Sequence, residues 1–199
     1  MNGSLEFGRK VFFAILFLAL AAFVGVRLFY LNKQPQLPVL GTVPTFHLTA
    51  QDRRSFTKDE LLGKVNIIDF IFTTCAGPCP LMSAQMQSIQ SKVENEHGIA
   101  LVSFTVDPEA DTPEVLTEYA KRFGAMPERW TFLTGSKTDI YTLTRYGFKL
   151  AIDADSNAIA HSTKFVLVDK EANIRGYYDS EDQESINRLL DHAVALVKE

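Results

Sequence analysis

The sequence predicts an α/β fold: a three-layer sandwich around a mixed central sheet, preceded by one N-terminal transmembrane helix. Three observations carry this. Residues 65–72 and 99–106 are near-continuous apolar runs of strand length, the pattern of strands covered on both faces. The segments that follow them repeat their apolar residues at helical spacing. Residues 11–26 are uninterrupted apolar or small, and 28–31 extend that run past Arg27.

About 20 apolar residues span a bilayer. Arg27 is near enough to the end of the run to snorkel, Tyr30 suits the interface, and Arg9-Lys10 flank the other side. A cleaved signal peptide is the competing reading, since Ala19-Leu20-Ala21 offers a small-x-small site. The apolar run continues well past that site, which favours an uncleaved anchor. Residues 1–10 are then a short tail, 11–31 a transmembrane anchor, 32–42 a Pro-containing polar linker, and 43–199 the folded domain. A short N-terminus ahead of a large domain favours N-in. The expected location is the bacterial cytoplasmic membrane, single-pass, with the domain on the periplasmic side; the mitochondrial inner membrane is the alternative.

The 199 residues allow one well-buried domain plus an appendage. A thinly spread net charge of −4 gives no sign of a nucleic-acid partner. Within the domain, residues 46–49 and 55–56 read as short strands around a turn at 52–54. Thr57-Lys58-Asp59-Glu60 reads as a capping box for a short helix stopped by Gly63. After the strand at 65–72, Met82, Met86, Ile89 and Val93 line one helical face, closed by His97-Gly98. The strand at 99–106 leads through a Pro- and Asp-containing loop into a helix carrying Val115, Leu116, Tyr119 and Phe123. A strand at 130–133, a helix capped by 136–139 and running to 147, a hairpin of 161–169 with 174–178, and a helix over 181–197 complete the domain. Alternating strands and helices followed by a terminal hairpin and helix are the thioredoxin arrangement.

The only two cysteines stand in Thr73-Thr74-Cys75-Ala76-Gly77-Pro78-Cys79-Pro80, between a strand and a helix. Unpaired N–H groups and the helix dipole at such a turn favour thiolates. Pro80 suits the first helical position. Three intervening residues, rather than the two of C-x-x-C, shift the balance from pure disulfide exchange toward holding a metal. Two cysteines build no disulfide framework, so they are chemical here. Asp69 interrupts an apolar strand six residues before Cys75, either as a hydrogen-bonded structural acid or as a proton partner of the thiols. Asp107 either faces the site from a neighbouring strand end or caps its own loop with Thr112. His161 opens a strand. With it, two thiolates and an imidazole form a soft three-ligand set suited to copper, whereas structural zinc would want a fourth donor. Met82 and Met86 have core spacing, and His47, His97 and His192 read as solvated.

These residues resemble the Sco/SenC family of membrane-anchored, thioredoxin-fold copper proteins. The resemblance covers nearly the whole chain: the anchor and linker, Asp69 through Cys79-Pro80, Val106-Asp107-Pro108-Glu109 with Asp111-Thr112-Pro113-Glu114, Trp130 to Gly135, and His161-Ser162-Thr163 before Val166 to Asp169. It implies copper ligation by Cys75, Cys79 and His161, and delivery of Cu(I) or Cu(II) to the dinuclear copper site of cytochrome c oxidase, or preparation of that site. The implied partners are the oxidase's copper-bearing subunit or other copper chaperones, at the membrane. Ala76-Gly77-Pro78 departs toward the Gly-Pro of thioredoxin's own active turn. That keeps open a membrane-anchored thiol–disulfide oxidoreductase or thioredoxin-like peroxidase in which Cys75 and Cys79 are the redox-active pair.

Overall fold

A computed structural model describes residues 3–31, 37–150 and 162–199. The chain divides into two compact units, Met1–Gln36 and Leu37–Glu199. The first holds the helix α1 (Gly3–Leu31), of 29 residues. At about 1.5 Å per residue this is roughly 43 Å of helix. Its described apolar side chains, Phe12, Phe17 and Phe23 among them, are exposed. Side chains at 3–9, 11, 26 and 28–31 lie outside the described residues. Among those that are described, no helix is long and apolar enough to cross a membrane. The expected span is therefore not shown, although the helix has the length for it.

The second unit runs β1 (Gly41–Thr42), β2 (His47–Ala50), β3 (Ser55–Thr57), a 3-10 turn (Lys58–Leu61), β4 (Val65–Ile71), α2 (Cys79–Lys92), β5 (Ile99–Thr105), α3 (Pro113–Arg122), β6 (Trp130–Thr134), α4 (Lys137–Thr142), a π turn (Leu143–Gly147), β7 (Lys164–Val168), β8 (Asn173–Asp179) and α5 (Gln183–Val197). The described strands form one sheet in the order β1-β8-β7-β4-β5-β6-β2-β3. β4 pairs parallel with β5, and β5 with β6; the other pairings are antiparallel. The sheet is mixed, as its sequence pattern requires.

β4 and β5 are central, and their alternation feeds two cores. Val65, Ile67 and Ile71 pack with Met82, Met86 and Ile89 of α2, Leu116 and Tyr119 of α3, and Ile186 and Leu189 of α5. On the opposite face Ile68, Phe70, Val102 and Phe104 pack with Ile140, Leu143 and Phe148. There Phe70 stacks on Phe104 at 5.3 Å between centroids, and Phe148 meets Phe70 edge-on at 5.1 Å. The cysteine turn leaves the C-terminal end of β4 on the α2 side.

Several expectations shift. The compact unit begins at Leu37 rather than 43, because part of the expected linker pairs with the sheet edge: Gly41 lies opposite Ile174, and the Leu40 N–H donates to the Ile174 carbonyl at 2.8 Å. Arg175 also donates from Nη2 to the Leu37 carbonyl at 2.7 Å. An edge strand of two residues needs no apolar period, so nothing in the sequence pattern marks it. Of the expected capping box the described bonds show the Thr57 half, its hydroxyl accepting from the Asp59 N–H at the start of a 3-10 turn, while the Glu60 carboxylate pairs with Arg54 instead. The helix after Ser136 ends in a π turn.

Candidate metal and thiol centre

β4 ends at Ile71, and the chain turns at once: the Cys75 N–H donates to the Phe72 carbonyl at 3.3 Å. The Gly77 N–H then points to Cys75 Sγ at 3.4 Å. Pro78 is the N-cap of α2 and Cys79 its first residue, so Pro80 stands second in the helix rather than first. A proline costs nothing at either place, since both N–H groups would be orphans. The thiols are unlinked, and both are buried, Cys75 at 7% and Cys79 at 3% exposure.

The electrostatics of Cys79 correct a sequence expectation. The helix start was expected to favour thiolate. Burial instead pushes the Cys79 thiol up to about 12, reinforced by the neighbouring Cys75 thiol and, more weakly, by the Asp69 charge. Desolvation outweighs the dipole because the sulfur sits inside the core rather than at its rim.

Asp69 is on the same face of β4 as Val65 and Ile67, and it is wholly buried. Ser103 Oγ donates to its Oδ1 at 2.5 Å, and Trp130 Nε1 donates to Ser103 Oγ at 2.8 Å. Oδ2 has no partner among the described residues. Burial raises this carboxyl to about 7, against the lowering effect of Ser103. Close by, Tyr119 Oη and Ser83 Oγ share a hydrogen bond of 2.9 Å, and burial likewise raises the tyrosine to about 12. A buried polar cluster thus lies in the core that also holds the two thiols.

Asp107 is half-buried at the end of β5. Its N–H donates to Thr105 Oγ1 at 3.0 Å and its carbonyl accepts from Asp111, a loop role made by the backbone rather than with the Thr112 hydroxyl, which caps α3. Asp111, not singled out in the sequence, is the buried acid of this loop: it accepts from the Thr73 N–H at 3.1 Å, from Thr73 Oγ1 at 2.5 Å and from Thr105 Oγ1 at 2.5 Å. A second acid in a Thr- and Pro-rich loop was the only available signal.

Met82 and Met86 are core residues, 1% and 0% exposed. His97 is exposed, and so is His47, which pairs with Ser55 Oγ at 2.9 Å. His192 is not simply solvated: it is half-buried, with Nδ1 2.7 Å from the Tyr178 hydroxyl. Burial pulls its pKa down. His161 lies outside the described residues. β7, which follows it, runs antiparallel to β4 with Val166 opposite Ile68. The N-terminal end of β7 therefore lies at the sheet end that carries the cysteine turn. Among the described residues no three His, Cys, Asp or Glu side chains form a metal-holding group. The two thiols are what this part of the chain offers, and soft, adjacent, buried sulfurs fit a soft monovalent cation such as Cu(I).

A mixed sheet whose central parallel strand opens into a Cys-x-x-x-Cys turn and a helix defines a thioredoxin-like thiol protein. The chain belongs to the SCO1/SenC family, whose model matches residues 36–197. It is 31% identical over 152 residues to the SCO1 protein homolog of Bacillus subtilis, covering 74% of this chain and 79% of that one. A SCO2-like protein of Rickettsia typhi is 31% identical over 183 residues, covering 82% and 89%. The structure of BsSco, described as a member of the Sco family of cytochrome c oxidase assembly proteins with a disulfide switch, matches with a TM-score of 0.72 at 29% identity, over 83% of this chain and 100% of that one. Arabidopsis thaliana ScoI with copper bound matches at 0.65 and 26% identity, over 79% and 98%.

Proposed function

We propose that this chain is a membrane-anchored copper metallochaperone that supplies, or prepares, the dinuclear copper site of cytochrome c oxidase. Cys75, Cys79 and His161 would be its ligands. The observation that carries the reading is the pair of buried, unlinked thiols held together at the β4–α2 turn. Support for His161 comes from the antiparallel register of β7 on β4, and from relatives of known structure that hold copper. Thiolates bind Cu(I) tightly, and exchange between thiol-rich sites lets copper pass between proteins without release. Support for the anchor is the length of α1 and the exposure of its described apolar side chains. The domain would then face the periplasm of a bacterium, or the equivalent side of the mitochondrial inner membrane.

Copper titration of the Leu37–Glu199 unit tests this. The dithiol form should take up one copper per chain and the Cys75–Cys79 disulfide form none. Equal uptake by both forms would remove the cysteines from the site.

A second reading, a thiol–disulfide oxidoreductase using the same pair, is favoured by the asymmetry of the thiols. Both thiols are buried, but the Gly77 N–H points to Cys75 Sγ, and burial pushes the Cys79 thiol up to about 12, as suits a resolving thiol. The effect of removing His161 separates the two readings.

A further inference from the structure

Asp111 is 0% exposed, and its carboxylate takes three donors at the C-terminal ends of two parallel strands. Thr73 supplies a backbone N–H and a hydroxyl just beyond β4, and Thr105 supplies a hydroxyl from the last residue of β5. Beyond the final strand pair, Ile71 opposite Thr105, the carboxylate thus continues the β4–β5 connection through side chains. Its own position is fixed by the loop, since its N–H donates to the Asp107 carbonyl at 2.9 Å.

The two cysteines are not held alike. Cys79 belongs to α2, whose first turn is closed by the Met82 N–H on the Pro78 carbonyl at 2.9 Å. Cys75 sits in a turn tied internally by the Phe72 carbonyl and the Gly77 N–H, both parts of the same turn. Thr73, two residues before Cys75, fastens that turn to the loop after β5, and Asp111 is the group it is fastened to.

We propose that Asp111 is the positioning residue of the cysteine turn, holding Thr73 so that Cys75 Sγ stays within bonding reach of Cys79 Sγ. This rests on the reading of the two thiols as one functional pair. A turn fastened in this way raises the effective concentration of one sulfur at the other. That favours both outcomes that need the sulfurs together, the disulfide and a two-thiolate copper complex, over the open dithiol.

The test compares Asp111→Asn, Thr73→Val and Thr105→Val in the Leu37–Glu199 unit. The readouts are the dithiol–disulfide equilibrium against glutathione, Cu(I) affinity by competition, and thermal stability. Asp111→Asn should lower the disulfide equilibrium constant about tenfold, roughly 30 mV for this two-electron couple, and weaken Cu(I) by a similar factor. Thr73→Val should move both equilibria the same way by a smaller factor. Thr105→Val, which removes a donor on the β5 side, should lower stability and leave both equilibria near wild type. If Asp111→Asn does not fold, the two threonine variants decide. The proposal falls if Asp111→Asn and Thr73→Val lower only the thermal stability, or if Thr105→Val shifts the equilibria as far as Thr73→Val does. The disulfide equilibrium is read without metal. Failure of the wild type to bind copper would thus overturn the copper reading and leave the test of Asp111 intact.

Discussion

Ser103 Oγ donates to Asp69 Oδ1 at 2.5 Å in the core beside the cysteines, while Oδ2 of the same carboxyl has no partner among the described residues. A wholly buried acid with one oxygen unmet is held best in its neutral form, and burial raises it from 3.8 to about 7. The folded state binds this proton more tightly than the unfolded chain does. Its contribution to stability is therefore full below about pH 4 and is lost as pH rises through 7.

Asp69→Asn removes that titration. Relative to wild type, the variant should gain about 3 kcal/mol between pH 4.5 and pH 8, measured by urea unfolding at both values. An unchanged difference between the two proteins at the two pH values would contradict the assignment.

Cys79 should resist alkylation. Its thiol is 3% exposed and pushed up to about 12, so iodoacetamide at pH 8 should leave Cys79 largely unmodified in the folded dithiol protein and modify it once the chain is unfolded. Peptide mapping reads this directly. Labelling of Cys79 as fast in the folded protein as in the unfolded chain would contradict its buried position.

The start of the domain matters to stability. A chain beginning at Leu37 keeps β1 and the Arg175 bonds to the Leu37 carbonyl; one beginning at Val43 loses both. The shorter chain should melt roughly 5 °C lower, the equivalent of about 2 kcal/mol in a domain of this size. Identical melting temperatures would mean that residues 37–42 add nothing to the fold.

The legible part of this molecule was the part governed by periodicity. The apolar runs of β4 and β5 identified central strands, the Met82-Met86-Ile89 step identified α2, and the strand–Cys–helix order placed the two cysteines at the β4–α2 turn. What escaped were features set by partners distant in the chain. β1 forms because β8 presents an edge, 131 residues away at the Thr42–Asn173 hydrogen bond. Asp111 matters because Thr73 and Thr105 converge on it, and neither its burial nor its donors leave a mark in its own segment. The protonation of Cys79 went the other way from the helix-dipole argument because the depth of the sulfur, which sequence does not encode, outweighed a local effect.

His161→Ala separates the two functional readings. On the proposed ligand set, losing the imidazole would leave two thiolates, adequate for linear Cu(I) but poor for the tetragonal preference of Cu(II). Cu(II) affinity should fall at least tenfold further than Cu(I) affinity, while the Cys75–Cys79 couple still cycles. Competition titrations of both oxidation states, run beside the disulfide equilibrium, measure this. Lost thiol cycling with intact copper binding would favour the oxidoreductase.

X-ray absorption of the copper-loaded Leu37–Glu199 unit tests the central claim most directly, because it counts the donor atoms on the metal. The account requires two sulfur donors and one imidazole nitrogen for Cu(II). One sulfur should disappear in Cys75→Ser and one in Cys79→Ser, and the imidazole scattering should disappear in His161→Ala. A spectrum with fewer than two sulfurs, or one unchanged by either cysteine substitution, would contradict it.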